Sequence, residues 1–583
     1  MLSATTWVPR GFSAEFPEKY ELNDEEMERI NKLAQLEIND AQEEIAAIED
    51  QLPAASEDSD NEESESSNKP LASQFEIDDD LKEYDLEHYD DDEDLPTVSG
   101  ERIAMFPGLS NELNAEYHEG DAEEGKDPYI SLPTEEDQLQ DKADFQIYPT
   151  DNLILAARTE DDISYLDVYV YDDGAGAPEG SQEEEEDKLD QDVAKGLVRD
   201  KSLYIHHDLM LPAFPLCVEW VNYAPGGDNE SNNNNNMGNF VAVGTFDPQI
   251  EIWNLDVVDK AFPDVILGEP TSQTKLTKKK SKKSKGKNQQ QHITTHHTDA
   301  VLSLAHNRSH RNILASTSAD HTVKLWDLNT ATAVRSFESI HQGKNVSSSQ
   351  WHTSDASVLL TGGYDSTIAV SDVRISELDQ LSRRYKLNYS QDIESVQWIS
   401  ETSFIAGTDQ GNVYCYDVRN EAKPLWTLQA HDAGISSLQI NNHMPELLIT
   451  SAMGEKVVKL WKLPTSENQG PSMVLSRDFG VGNVLTTSFA PDVEVSGNIV
   501  IGGVNKGLKL FDVFSNRAVR ASFKDELRGL KTKARAEAKE FGRASRLARK
   551  YEGEYKESVL EAESGSDGEG DEDDDDEDDE DME

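Results

Sequence analysis

Cysteine is almost absent: 583 residues contain two, Cys217 and Cys415. That count excludes a disulfide scaffold and a cysteine-built zinc site. Both thiols fall inside strand-like apolar runs, where cysteine serves as a small hydrophobe. No apolar stretch approaches the roughly 18 residues that cross a bilayer. The opening residues lack the basic-then-apolar pattern of a secretory signal, so the expectation is a soluble, intracellular protein. Positive charge is scarce too, with 53 Lys and Arg against 116 Asp and Glu and a formal net charge of −63. The excess acid sits before about Gln140 and after Glu561, in stretches too poor in apolar residues to offset the entropy of ordering, and these are expected to be largely disordered. Catalytic signatures are missing as well. Gly502–Gly507 lacks the Lys-Ser/Thr ending of a phosphate-binding loop, and the pairs His296/His297 and His306/His310 lie on no helix at metal-ligand spacing. Without a nucleophile elbow, kinase set or His-Glu-x-x-His, no enzyme, metal or cofactor is expected.

What the chain has instead is one phrase that returns in variants between Gln146 and Phe523: a strand, a tight polar turn, and a second strand ending in an aromatic residue plus Asp. Its clearest copy runs from Ile313 to Trp326-Asp327; weaker copies end at Trp253-Asn254, Ser371-Asp372, Tyr416-Asp417, Trp461-Lys462 and Phe511-Asp512. Repeats of about 40–45 residues with strand-type alternation mark WD40 propeller blades. Such a unit cannot bury its faces alone, so the copies are expected to close into a ring. The fold class is therefore all-β, a seven-bladed WD40 β-propeller over 141–523; a degenerate first blade leaves counts of six and eight open. The outer strand of the seventh blade is expected at Val519–Phe523. In the third blade His297, Ser316, Asp320 and Trp326 fall where a blade places a buried chain of hydrogen bonds, which must be mutually satisfied. This is a structural tetrad and not a catalytic triad. Other blades keep parts of it: Ser371 stands where Trp is expected, Gln410 replaces Asp, and the Met453–Lys456 turn carries no Asp.

Around the ring lie four further segments. Residues 1–140 form an acidic N-terminal region, opening on Met1–Phe16 with Trp7-Val-Pro-Arg10, read either as a loose terminus or as an anchoring peptide. An amphipathic helix follows over Asn23–Leu52, where Asn23 and Glu26 make a capping box. A basic insertion at about 270–292 carries Lys278, Lys279, Lys280, Lys282 and Lys283, suited to nuclear import or to nucleic-acid phosphates, with a plainly solvated loop as the alternative. Residues 524–556 read as one basic amphipathic helix in which Lys531, Lys533, Arg535, Arg543, Arg546 and Arg549 flank an apolar stripe. That helix fits rRNA, a partner protein or a membrane surface, or packs on the ring; the acidic chain disfavours the membrane. The tail, 557–583, could hold basic ribosomal proteins or histones. Acid-flanked Ser56, Ser59, Ser64, Ser564 and Ser566 are candidate phosphorylation sites.

The opening Trp7-Val-Pro-Arg-Gly11, the acidic linker, the Leu255–His297 insertion, the spaced tryptophans (Trp220, Trp253, Trp326, Trp351, Trp398, Trp461), the basic helix and the acidic tail together resemble the periodic tryptophan protein 1 family of eukaryotic WD-repeat proteins. The resemblance implies a non-enzymatic factor of the nucleus and nucleolus, acting in maturation of the large ribosomal subunit and in pre-rRNA processing. Its partners would be pre-ribosomal proteins and pre-rRNA. Two other classes compete. One is a chromatin protein that binds histones. The other is a ubiquitin-ligase substrate receptor, whose Trp-Asp-x-Arg ending is approached by Ser371–Arg374 and Tyr416–Arg419 without the Trp.

Overall fold

A computed structural model describes residues 1–20, 145–174, 201–226, 236–268, 293–375, 377–387, 390–464, 469–505, 507–540, 545–551 and 559–562. They belong to one compact unit; a second, Glu21–Lys142, lies outside the described residues. Also outside them are the expected helix over Asn23–Leu52, the lysine-rich insertion, Arg543, the five candidate phosphorylation sites and the acidic tail.

Seven four-stranded antiparallel sheets form seven blades. The first combines Leu2–Val8, Asn152–Glu160, Ile163–Asp172 and Ser202–Leu211, and the second Pro215–Val221, Phe240–Thr245, Ile250–Asn254 and Val265–Leu267. Blades three to six follow in simple order, from Val301–His306 to Ser472–Asp478. The seventh is Val484–Phe489, Asn498–Gly503, Leu508–Asp512 and Val559–Ala562. Outside the blades, Glu18–Lys19 pairs in parallel with Val257–Val258. No helix among the described residues is long and apolar enough to cross a membrane.

Alternation explains the strands, and the packing explains the ring. A blade strand sends successive side chains to opposite faces, so each sheet presents one apolar face to the blade before it and one to the blade after. The buried apolar residues accordingly fall into seven clusters, each shared by two neighbouring blades. The cluster between blades seven and one contains Leu2 and Trp7 beside Tyr169, Val500 and Leu508. Cys415 belongs to the cluster between blades five and six; it is buried, and burial pushes its thiol up to about 12.

Every innermost strand has the same irregularity. A β-bulge one residue from its start sets aside Ser3, Leu216, Leu302, Ser347, Glu394, Ser436 and Leu485 in the seven blades. A bulge adds a residue and re-aims its side chain. Here three bulged serines use that freedom to donate to the next blade: Ser3 to the carbonyl of Pro215 at 2.8 Å, Ser436 to that of Val484 at 2.8 Å, and Ser347 to that of Ile393. Further along the channel Thr5 meets Thr486 at 2.9 Å and Ser437 meets Thr487 at 2.8 Å. Short hydroxyl side chains thus stitch blade to blade where the ring is narrowest.

Three expectations are corrected. The N-terminal peptide is not a loose terminus: Leu2–Val8 is the innermost strand of the first blade, so the acidic segment is an insertion between that blade's first two strands. Val519–Phe523 is no strand. After one turn of helix at α1 (Leu378–Leu381), the chain forms α2 (Arg517–Ser522), with the Asn516 side chain accepting from the Ala518 and Val519 amides, a strong N-cap. Val519 and Phe523 stand four apart, a spacing that buries both on one helix face; Val559–Ala562 supplies the outer strand. Finally, the basic helix is two elements, α3 (Lys524–Glu540) and α4 (Arg546–Arg549), the second capped by Ser545. Leu527, Leu530, Ala534 and Leu547 bury against the blade six–seven cluster, so the apolar stripe packs on the ring.

Candidate interaction surfaces

In blade three the four residues picked from the sequence meet as one chain. Nδ1 of His297 lies 2.9 Å from Asp320, its Nε2 lies 2.7 Å from the Ser316 hydroxyl, and Nε1–H of Trp326 donates to Ser316 at 2.8 Å. Burial pushes the His297 pKa down. A neutral ring with Nδ1–H toward Asp320 leaves Nε2 to accept from Ser316, which itself accepts from Trp326. Burial opposes the Asp320 charge, but hydrogen bonds from His297 and Thr322 overcome it and hold the carboxyl below its usual range. Ser316 is fully buried, so its hydroxyl is a strut that no substrate can reach.

Variants of this chain recur beyond what the letters suggested. In blade four His341 spans Thr361 at 2.8 Å and Asp365 at 3.0 Å, with buried Ser371 at the Trp position. Blade six has the complete arrangement: His431 contacts Thr450 at 2.9 Å, Trp461 donates to Thr450 at 2.9 Å, and Glu455 takes the Asp role at 2.7 Å from His431. The turn without an Asp has its carboxylate on a longer arm. In blade five Gln391, Gln410 and Tyr414 replace the set, linked at 2.7 and 3.1 Å. Replacing Ser316 by Ala is expected to strand two buried nitrogens and to cost about 1–3 kcal/mol in denaturant unfolding. Ser316→Thr, the choice of blades four and six, should cost less than Ser316→Ala, because the hydroxyl keeps both hydrogen bonds.

Among the described residues, one heavily charged buried site was not foreseen. Where blades one and seven meet, Arg10 binds Asp173 at 2.8 Å and Asn152 at 2.8 Å, and Asn152 donates to Asp492 at 2.6 Å. Beside it, the buried Asp512 carboxylate takes Lys550 at 2.6 Å, two contacts from the Tyr551 hydroxyl at 2.8 and 2.6 Å, and Lys201 at 3.9 Å. Burial would push the Asp512 carboxyl up, but the two ammonium groups win and hold it low. The Lys201 amine is pushed down to about 7, first by burial and then by Lys550. This cluster ties together the N-terminal strand, the first blade, the last blade and the segment after α4. In the sequence Arg10 stood out only within Trp7-Val-Pro-Arg10, Asp512 only as the end of a repeat copy and Arg546 only on the basic helix.

The expected RNA-contacting residues divide accordingly. Arg546 is mostly buried and reaches Asp173 at 4.0 Å, and Lys531 donates to the carbonyl of Lys550 at 2.7 Å; both serve the ring. Lys533 and Arg535 are exposed, and Arg549 lies in α4. On α3 the exposed residues Lys524, Arg528, Arg535 and Lys539 are spaced i, i+4, i+11 and i+15, which places them on one stripe beside the buried face. Lys524 and Arg528 had not been singled out. The lysine-rich insertion has its described ends at Gly268 and Ile293; the carbonyl of Ile293 accepts from buried Lys324 at 2.6 Å.

A family model described as "Nucleolar protein 10-like, N-terminal domain", a β-propeller, matches residues 231–511. Periodic tryptophan protein 1 of Saccharomyces cerevisiae is 59% identical over 557 residues, 94% of either chain. The chain belongs to the periodic tryptophan protein 1 family. An uncharacterized WD repeat-containing protein of Schizosaccharomyces pombe is 38% identical over 90% of this chain and 92% of its own, and the periodic tryptophan protein 1 homolog of Drosophila melanogaster is 29% identical over 89% and 95%. These matches run well past the repeats, so likeness to the periodic tryptophan protein 1 family covers most of the N-terminal and C-terminal additions as well as the WD-repeat ring.

Proposed function

We propose that this protein is a non-enzymatic nucleolar scaffold for large-subunit ribosome assembly and pre-rRNA processing, docking on pre-ribosomal particles through the ring and through basic segments. The observation that carries this reading is the 59% identity along nearly the whole length of periodic tryptophan protein 1. The matching family model, whose description names a nucleolar protein, agrees with the assignment to the nucleolus. The ring offers broad rims, and its Ser-His-Asp constellation is internal. The stripe on α3 supplies cations along about 22 Å of helix, suited to backbone phosphates that position a particle without reading sequence.

Depletion is expected to leave unprocessed rRNA precursors, and tagged protein should co-sediment with precursor large subunits; normal rRNA profiles after depletion would refute the proposal. Within it, exchanging Lys524, Arg528, Arg535 and Lys539 for Gln should weaken RNA binding uniformly across sequences. The slope of log affinity against log salt should become shallower by about 3 if all four contact phosphates. An unchanged slope would move RNA contact elsewhere.

A further inference from the structure

The rim of blades one and two exposes apolar side chains where hairpin tips and interblade loops open. Ile163 is 46% exposed, Met210 60% and Phe246 60%. They form one ridge. Ile163 adjoins Ser164, which pairs with Leu211. The chain then runs through exposed Pro212 to Phe214, whose ring lies 5.4 Å from that of Phe246 and whose carbonyl accepts the Phe246 N–H at 3.1 Å. Exposed apolar ground of this kind marks interaction sites.

Its electrostatics select the partner. Exposed Asp161, Asp162, Asp208 and Asp247 flank the ridge, and from Ser202 to Asp259 the sequence has no Lys or Arg. The nearby guanidinium of Arg158 is committed to Asp167 and Glu160 at 2.8 and 2.9 Å. A phosphate backbone would be repelled here, and a second copy of a chain with a formal charge of −63 would be too. Lysine and arginine side chains would be drawn in, with aromatic or aliphatic anchors to cover Ile163 and Phe246.

We propose that the Ile163–Met210–Phe214–Phe246 ridge docks an extended, Lys- and Arg-rich segment of a partner protein that carries leucine or phenylalanine anchors. This rests on reading the ring as a docking platform and names the chemistry of one partner. The probe is a fluorescein-labelled peptide alternating lysine with leucine and phenylalanine, compared by anisotropy with an all-lysine peptide of equal charge, both on the full-length protein. The pair I163S/F246S should weaken the mixed peptide at least about tenfold and leave the all-lysine peptide unchanged. Equal binding of the mixed peptide by wild type and a folded I163S/F246S variant overturns the proposal, because the acidic ends would then be the binding site. A benzophenone on the mixed peptide gives a readout from unmutated protein. Cross-links should fall within 159–174, 202–226 and 236–254, and confinement to 21–142 and 563–583 also overturns it. Co-sedimentation with precursor particles is read separately, so protein that co-sediments yet ignores the peptide loses this site alone.

Discussion

Deleting Met1–Val8 is expected to leave a chain that cannot close its ring. Leu2, Trp7 and Val8 are buried, and burying each such side chain stabilises by about 1.5–3 kcal/mol. Their loss, roughly 5–9 kcal/mol together, rivals the whole stability of a typical domain, about 5–15 kcal/mol. The strand also pairs with Leu153–Arg158 and carries Ser3 and Thr5, two of the hydroxyls that join neighbouring blades. Circular dichroism and limited proteolysis should show an opened, protease-sensitive ring, partly rescued by a synthetic Met1–Phe16 peptide. A truncated chain that melts cooperatively at the wild-type temperature would remove this strand from the fold.

Asp512→Asn should be the most damaging single polar substitution. It leaves Lys550 and Lys201 buried without their carboxylate, a situation that costs about 3–5 kcal/mol. The pH dependence adds a second readout. Because the folded Asp512 carboxyl lies below its unfolded value of about 4, the wild type draws stability from the ionised form above that pH and loses it as pH falls through the folded value. The variant lacks that dependence, so the gap between the two in denaturant midpoint should narrow below pH 4. Lys201→Met tests the same site from the other side. An amine already pushed down to about 7 is costly to keep charged, so this variant should be neutral or slightly stabilising. A folded D512N protein of wild-type midpoint at pH 7 would contradict the cluster.

Blades three to six were legible because the third strand of each ends in an aromatic residue, or in Ser371 in blade four, followed by a polar residue at a regular interval. Both ends of the ring were hidden for physical reasons. Leu2–Val8 has strand-like alternation, but its partner begins only at Asn152, and the acid between them masks the connection. Val559–Ala562 is four residues long and is flanked by charge, too short for a period to register. Val519–Phe523 reads equally as strand or helix; the Asn516 cap, which is local and visible in the sequence, decides for helix. At the buried tetrads the letters undercounted. Threonine replaces serine at 361 and 450 and glutamate replaces aspartate at 455 with hydrogen bonds intact, because what a blade needs is a hydroxyl and a carboxylate at the right reach. At the Asp512 site the sequence marked the carboxylate only as the end of a repeat copy and gave no sign of its partners, since Lys201, Asp512 and Lys550 come together only once the ring has closed.

Cys415 turns this architecture into a measuring device. With its thiol pushed up to about 12, only about one molecule in 100,000 carries the thiolate at pH 7, and the sulfur is buried between blades five and six. Alkylation of that position by iodoacetamide should therefore proceed through opened molecules, so its rate reports how often those two blades part.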